Sequence, residues 1–128
     1  MDGLPGRSLL ILEDEVLIAM DHQFNAERAG FKSVIMLTSC ATAHDWLSSN
    51  SPSVALLDVQ LQDGSCSEVA VLLTARSIPF VVCSGSTRDD ADPAFRSGIW
   101  LPKPCSPEDL LIALTQAREK ASRQVQEV

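Results

Sequence analysis

Short, unbroken apolar runs alternate along the chain with longer mixed segments. Five runs, Leu9–Leu12, Val34–Leu37, Val54–Leu57, Phe80–Cys83 and Ile99–Leu101, read as strands. They are continuous rather than alternating in polarity, which is the pattern of a strand covered on both faces. The segments between them supply helices. Glu15–Ala29 places Leu17, Met20 and Phe24 on one face and offers Gly30 as a left-handed stop. Ala41–Ser49 and Ser65–Ala75 are further helices, while Thr87–Ser97 is a poor one interrupted by Pro93, where Asp92 can cap a short helix that starts at the proline. The last helix is the clearest: Ser106 stands as N-cap, Pro107 at the first helical position and Asp109 as the capping-box acid, ahead of an apolar stripe of Leu110, Leu111, Leu114 and Ala117. Strand and helix in alternation predict right-handed crossovers and an open, doubly wound α/β fold around a parallel sheet.

Length and charge narrow the reading. A chain of 128 residues has the size of one domain and buries roughly two thirds of its unfolded surface, enough for a core without a metal or disulfide staple. Residues 1–7 read as a lead, 8–121 as the domain and 122–128 as a frayed tail. With 10 Lys and Arg against 17 Asp and Glu, the net charge of -7 disfavours nucleic acid and anionic membrane as partners. No apolar run reaches the ~20 residues of a bilayer crossing, and the start lacks the cationic-then-apolar form of a leader, so no membrane insertion and a cytoplasmic location are expected. Cys40, Cys66, Cys83 and Cys105 form no C-x-x-C pair and read as free thiols.

In open α/β sheets the ligand sits beyond the carboxyl ends of the strands. Here the first strand runs into Glu13-Asp14-Glu15, the third ends at Asp58, the fourth is followed by Ser84-Gly85-Ser86 and the fifth by Lys103-Pro104. If the first and third strands are neighbours at the usual ~4.8 Å spacing, Asp14 and Asp58 come close together. Bare carboxylates repel, so one is protonated or a cation lies between them. No His or Cys joins the group, which suits a hard, oxygen-preferring ion such as Mg²⁺. Lys103, the Ser84 hydroxyl and the Gly85 and Ser86 amides complete a receiver for a transferring phosphoryl group, with Asp58 as nucleophile.

These pieces, Glu13-Asp14, Leu56-Leu57-Asp58-Val59, Ser84-Gly85 after an apolar strand and Trp100-Leu101-Pro102-Lys103-Pro104, occur in the order and spacing of response regulator receiver domains. The chain resembles that family from Ser8 to about Arg118. The resemblance implies a flavodoxin-like, five-stranded parallel sheet in the order 2-1-3-4-5, for which a member of this family is itself a standard example, with about five helices. It implies a single-domain response regulator of two-component signalling, in which Asp58 accepts phosphoryl from a histidine kinase or a histidine phosphotransfer protein. Asp14, Asp58 and the backbone carbonyl of Gln60 would bind Mg²⁺, with Glu13 holding a metal-bound water. Lys103 would pair with Asp58 and then the phosphoryl group, Ser84 would move to hydrogen-bond it, and Trp100 would take the place of the switch aromatic. The Lys103-Pro104 peptide is usually cis in the family.

Three departures qualify the resemblance. The loop Val59–Gly64 is short and has Gln62 where proline is common, as in a subgroup of receivers found largely in alphaproteobacteria. The Ser84-to-Lys103 segment predicts a short fourth helix, which bears on the family's usual dimer face. Trp100 is bulkier than Tyr and has no hydroxyl. Elsewhere the plain readings are expected: Trp46 packs its helix on the sheet, His22 and His44 are solvated surface residues, Cys66 and Cys83 are small buried thiols, and Arg88–Asp92 is a solvated loop.

The expected role is therefore signalling by contact with a downstream protein target, or passage or storage of phosphoryl in a relay, with no reaction beyond self-phosphorylation and its reversal. A receiver fold used as an adaptor without phosphorylation is the alternative. A haloacid-dehalogenase-type phosphatase would need a second Asp two positions after the nucleophile, where this chain has Gln60.

Overall fold

The structure, a computed structural model, describes residues 8–126, so the expected lead over 1–7 and the 127–128 end of the expected tail lie outside the described residues. The elements in chain order are β1 (Ser8–Leu12), α1 (Val16–Arg28), β2 (Ser33–Leu37), α2 (Cys40–Leu47), β3 (Val54–Leu57), β4 (Gln60–Leu61), β5 (Gly64–Ser65), α3 (Ser67–Ala75), β6 (Phe80–Ser84), β7 (Ile99–Pro102) and α4 (Pro107–Gln126). Five strands form one parallel sheet in the order β2-β1-β3-β6-β7. Because the small antiparallel hairpin β4-β5 intervenes in sequence, this is the expected 2-1-3-4-5 arrangement.

The strands carry apolar side chains on both faces, and each face has its own helical layer. Leu10, Leu12, Ala55, Leu57 and Val82 pack with Ala43 and Leu47 of α2, Val69 and Leu73 of α3, and Phe95. Leu9, Ile11, Val54, Leu56 and Val81 pack with Ala19 and Ala26 of α1 and Leu110, Ala113 and Leu114 of α4. Burying one such Leu is worth about 1.5–3 kcal/mol, so the two layers, and not strand propensity, hold the sheet together. Caps set the helix starts: Ser39 accepts from Thr42 N at 3.1 Å and Ser106 from Asp109 N at 3.1 Å. Gly30, with φ +107°, follows α1 as its left-handed stop. Trp46 is half-buried against the α2 and α3 layer.

On α1, Leu17, Met20 and Phe24 share one face as expected, but it is the solvent face: they are 82%, 52% and 58% exposed, and the helix docks through Ala19, His22 and Ala26. Two alanines on the docking stripe let the helix lie close to the strands and turn its larger side chains outward. His22, expected at the surface, is consequently 7% exposed.

The fourth helix is not an α-helix at all. In its place stand two 3₁₀ turns, Arg88–Asp90 and Pro93–Phe95, leaving four α-helices among the described residues. The Asp92 carboxylate accepts from Ala94 N at 2.8 Å, as expected of a cap before Pro93, and Phe95 plugs the core at 1% exposure. A proline within the segment removes a backbone donor and prevents helix from propagating through it. No helix among the described residues is long and apolar enough to cross a membrane.

Candidate functional site

The carboxyl edge of the sheet assembles the site. β1 ends beside β3, and the ladder continues one step past both strands, since Asp58 N donates to Leu12 O at 3.1 Å and Glu13 N to Leu37 O at 3.2 Å. Glu13 and Asp58 are thereby pinned by backbone bonds at the point where the sheet opens. Glu13 folds back so that Oε2 accepts from Glu15 N at 3.1 Å, and its side chain is 4% exposed.

Lys103 reaches in from the end of β7. Its backbone N donates to Ser84 O at 2.9 Å, fixing the root of the side chain against β6. The ammonium donates to Asp58 Oδ2 at 3.1 Å and lies 3.6 Å from Glu13 Oε1. Burial works against this charge, but the Asp58 hydrogen bond and the fields of Asp58 and Glu13 outweigh it and raise the Lys103 pKa above its ordinary value. The Glu13 carboxyl is also raised, chiefly by burial, with the Glu15 amide and Lys103 pulling the other way and Asp58 and Asp14 adding to the rise. The Lys103-Pro104 peptide is cis.

One oxygen from each of Glu13, Asp14 and Asp58 lies within 4.8 Å of the other two. A cluster of hard oxygen donors with one cation on its flank fits a small divalent ion that keeps several waters, which is the coordination habit of Mg²⁺. Gln60, whose carbonyl the resemblance adds to this set, opens β4 two residues beyond Asp58 with its side chain exposed.

The other two residues stand differently. Ser84 ends β6 and is 5% exposed, but its hydroxyl is engaged sideways: it accepts from Ser86 N at 3.1 Å and shares a 2.9 Å hydrogen bond with the Ser86 hydroxyl. Trp100, on β7, pairs in register with Val82 of β6 and is half-buried against the α2 and α3 layer. The structure thus brings Glu13, Asp14, Asp58 and Lys103 into one cluster, ties Ser84 to it through the Lys103 backbone, and leaves Trp100 packed on one face of the sheet.

Sequence reasoning missed one brace beside the site. Asp63, between the hairpin strands, accepts from Cys40 N at 2.9 Å and Ala41 N at 3.0 Å, so one carboxylate clamps the first turn of α2. Those two backbone bonds hold its pKa below the usual carboxylate range. Leu61, beside it, is buried and anchors the hairpin.

No protein-family model and no curated protein sequence matches the chain. Solved structures do. SdrG from Sphingomonas melonis Fr1 is 35% identical, covers 84% of this chain and 92% of its own, and superposes with a TM-score of 0.72. A CheY-like response regulator receiver domain protein from Methanospirillum hungatei JF-1 shares the fold at TM-score 0.82 with 18% identity, over 92% of this chain and 98% of that one. The chain belongs to the response regulator receiver family. The beryllofluoride-activated receiver domain dimer of NtrC4 has the same fold, with TM-score 0.79, 22% identity and coverage of 90% of this chain and 98% of that one. In this chain a pair of 3₁₀ turns stands between β6 and β7, and Trp100 lies on β7.

Proposed function

We propose that this receiver domain takes a phosphoryl group onto Asp58 from a phosphohistidine, borne by a histidine kinase or a histidine phosphotransfer protein in the cytoplasm. The observation that carries the reading is the convergence of Lys103 on Asp58 at 3.1 Å beside the oxygens of Glu13 and Asp14. In the reaction an Asp58 carboxylate oxygen forms the new O–P bond while the N–P bond of the donor breaks and its electron pair returns to the imidazole. Asp14, Asp58 and the Gln60 carbonyl would hold Mg²⁺, with Glu13 on a metal-bound water, and the ion would supply charge neutralisation for the phosphoryl oxygens. Lys103 adds a fixed ammonium on the opposite flank, preorganised by the Ser84 carbonyl.

Afterwards Ser84 would exchange Ser86 for the phosphoryl oxygens, and Trp100 would repack on its face of the sheet. The donor's docking surface is the exposed face of α1, where Leu17, Met20 and Phe24 lie in the open directly after the acid pair. The output is contact with a downstream protein, or onward transfer in a relay. No turnover of an external substrate is part of this role.

Incubation of the protein with Mg²⁺ and acetyl phosphate should add the mass of one phosphoryl group, and Asp58→Asn should abolish the adduct. Absence of an adduct from acetyl phosphate and from every histidine kinase offered would overturn the reading. A second reading, an adaptor that works without phosphorylation, draws on the Ser84 hydroxyl being held by Ser86 and on the missing fourth α-helix. A partner that binds wild type and Asp58→Asn equally, with and without phosphodonor, would favour it.

A further inference from the structure

On the α1 and α4 side of the sheet, in a cleft that Lys103 also lines, three side chains with nitrogen and sulfur donors converge. His22 on α1, Cys83 on β6 and Cys105 just beyond β7 each offer one ligand atom, and these atoms all lie within 4.8 Å of one another. The two sulfurs are 3.5 Å apart and are free thiols. An ion with Zn–S bonds of about 2.3 Å and Zn–N bonds of about 2.0–2.1 Å in tetrahedral geometry separates its sulfurs by about 3.8 Å and sulfur from nitrogen by about 3.5 Å. The sulfurs therefore need to open by only a few tenths of an ångström. Cys83 is fixed in a central strand and His22 on a docked helix, while Cys105, half-buried in a loop, supplies the adjustment.

The three residues open onto a cleft of about 540 Å³ walled in part by Leu17, Ile18 and Asp21. The cleft provides a route in and room for a fourth ligand, a water or the Asp21 carboxylate.

We propose that His22, Cys83 and Cys105 form a Cys₂His site for a thiophilic divalent metal ion, Zn²⁺ in the first place, with its fourth position facing the cleft. On binding, the two S–H groups release their protons to solvent and the imidazole gives its ring lone pair. Two thiolates then cancel the charge of the ion, so a neutral unit occupies the apolar layer and meets the nearby Lys103 ammonium without net repulsion. Burial lowers the His22 pKa and so favours the neutral, ligating imidazole, with Asp21 acting in the opposite sense and Lys103 adding to the lowering. The chain would thus hold two ion sites of opposite chemistry, a hard one of carboxylates and a soft one of sulfur and imidazole. A lone disulfide between Cys83 and Cys105 is disfavoured as an explanation because it leaves the placement of His22 without a role. The second thiol pair, Cys40 and Cys66 at 3.3 Å, is not part of a three-ligand cluster with a histidine and serves as an internal control.

The reduced full chain, in excess Mg²⁺ to occupy the carboxylates, is titrated with Zn²⁺ against a chromogenic chelator and with Co²⁺ as a spectroscopic probe. One equivalent should bind with micromolar or tighter affinity, on the order of -8 kcal/mol. Co²⁺ should show thiolate-to-metal charge transfer and the strong visible bands of tetrahedral coordination. Cys105→Ser and His22→Gln should each weaken Zn²⁺ binding by roughly 10–100-fold or more, and Cys40→Ser should leave it unchanged. If His22→Gln fails to fold, the half-buried Cys105→Ser decides alone. Binding that survives Cys105→Ser, a cobalt complex without charge transfer, or no stoichiometric binding to the reduced protein would overturn the proposal.

Discussion

Lys103 Nζ lies 3.1 Å from Asp58 Oδ2 and 3.6 Å from Glu13 Oε1, so one ammonium occupies the flank of the carboxylate cluster proposed to take Mg²⁺. On that proposal the two cations would compete for the same field. Lys103→Met should tighten Mg²⁺ binding several-fold, up to about tenfold, or ~1.4 kcal/mol, while slowing phosphorylation by acetyl phosphate. Since the folded-state pKa of Lys103 is raised, its stabilising contribution is complete below the ordinary lysine value of 10.5 and is lost as pH rises through the folded value. Melting curves in EDTA should show a wild-type advantage over Lys103→Met that holds to about pH 10 and then shrinks. An advantage that disappears at neutral pH would contradict this account.

Glu13 shares the direction of pH dependence, but at neutral pH it lies on the other side of its titration. Its raised pKa, caused first by burial, means that the fold favours the protonated acid, and that advantage, full below the ordinary value of 4.5, is lost as pH rises through the folded value. At neutral pH without metal its charge is a cost. Glu13→Gln should therefore melt roughly 2–5 °C higher than wild type in EDTA, the equivalent of about 1 kcal/mol, while gaining less from added Mg²⁺. A variant that melts lower in EDTA at pH 7 would show that the Lys103 contact outweighs the burial.

Asp63 reports on the brace between the hairpin and α2. Its pKa is lowered by the Cys40 and Ala41 amides, so its contribution is present above the ordinary value of 3.8 and is lost as pH falls through the folded value. Asp63→Asn should be less stable than wild type at pH 7, and acid titration should bring the two together below about pH 3.8. Curves that stay parallel down to pH 2 would rule out the charged form of the clamp.

Gly98 is fixed by contact rather than by charge. A Cβ there would overlap the Phe80 ring and stand 3.0 Å from the Phe80 carbonyl, whereas one at Gly85 meets nothing within 4 Å. Phe80 is itself a buried core residue. Gly98→Ala should cost about 1–3 kcal/mol in denaturant unfolding, and Gly85→Ala should cost little by comparison. Equal costs would mean that the ring yields freely.

Phe24 tests the docking face of α1. It is 58% exposed with the Arg28 guanidinium over its ring at 5.6 Å, and its removal leaves the core intact. Phe24→Ser should lower the phosphotransfer rate from a phosphohistidine donor by at least several-fold, leaving acetyl phosphate labelling and the melting temperature nearly unchanged. Equal loss with both donors would place the effect inside the pocket.

Much of the molecule was legible because it is written locally. All five strands of the main sheet are unbroken apolar runs, and Glu13, Asp14, Asp58 and Lys103 follow such runs directly, so finding the strands also found the acids and the lysine. The α1 orientation was not legible, because hydrophobicity favours Leu17, Met20 and Phe24 as the packing stripe while close approach to the sheet selects Ala19 and Ala26. His22 was misread with them. The neighbours of Cys83 were also hidden: Cys105 is 22 residues away along the chain, and their meeting depends on β6 pairing with β7. The Asp63 clamp joins residues 22 and 23 apart by the same kind of non-local route.

The outward turn of the large side chains of α1 has a colloidal consequence. The protein carries an adhesive stripe next to a cluster of acids, on a molecule whose net charge is -7. Mutual repulsion between copies holds these stripes apart at low ionic strength, and the Debye length of about 8 Å at physiological salt is short enough to let them approach. Surface charge and surface greasiness are therefore set against each other here, and the salt concentration decides how far one copy tolerates another.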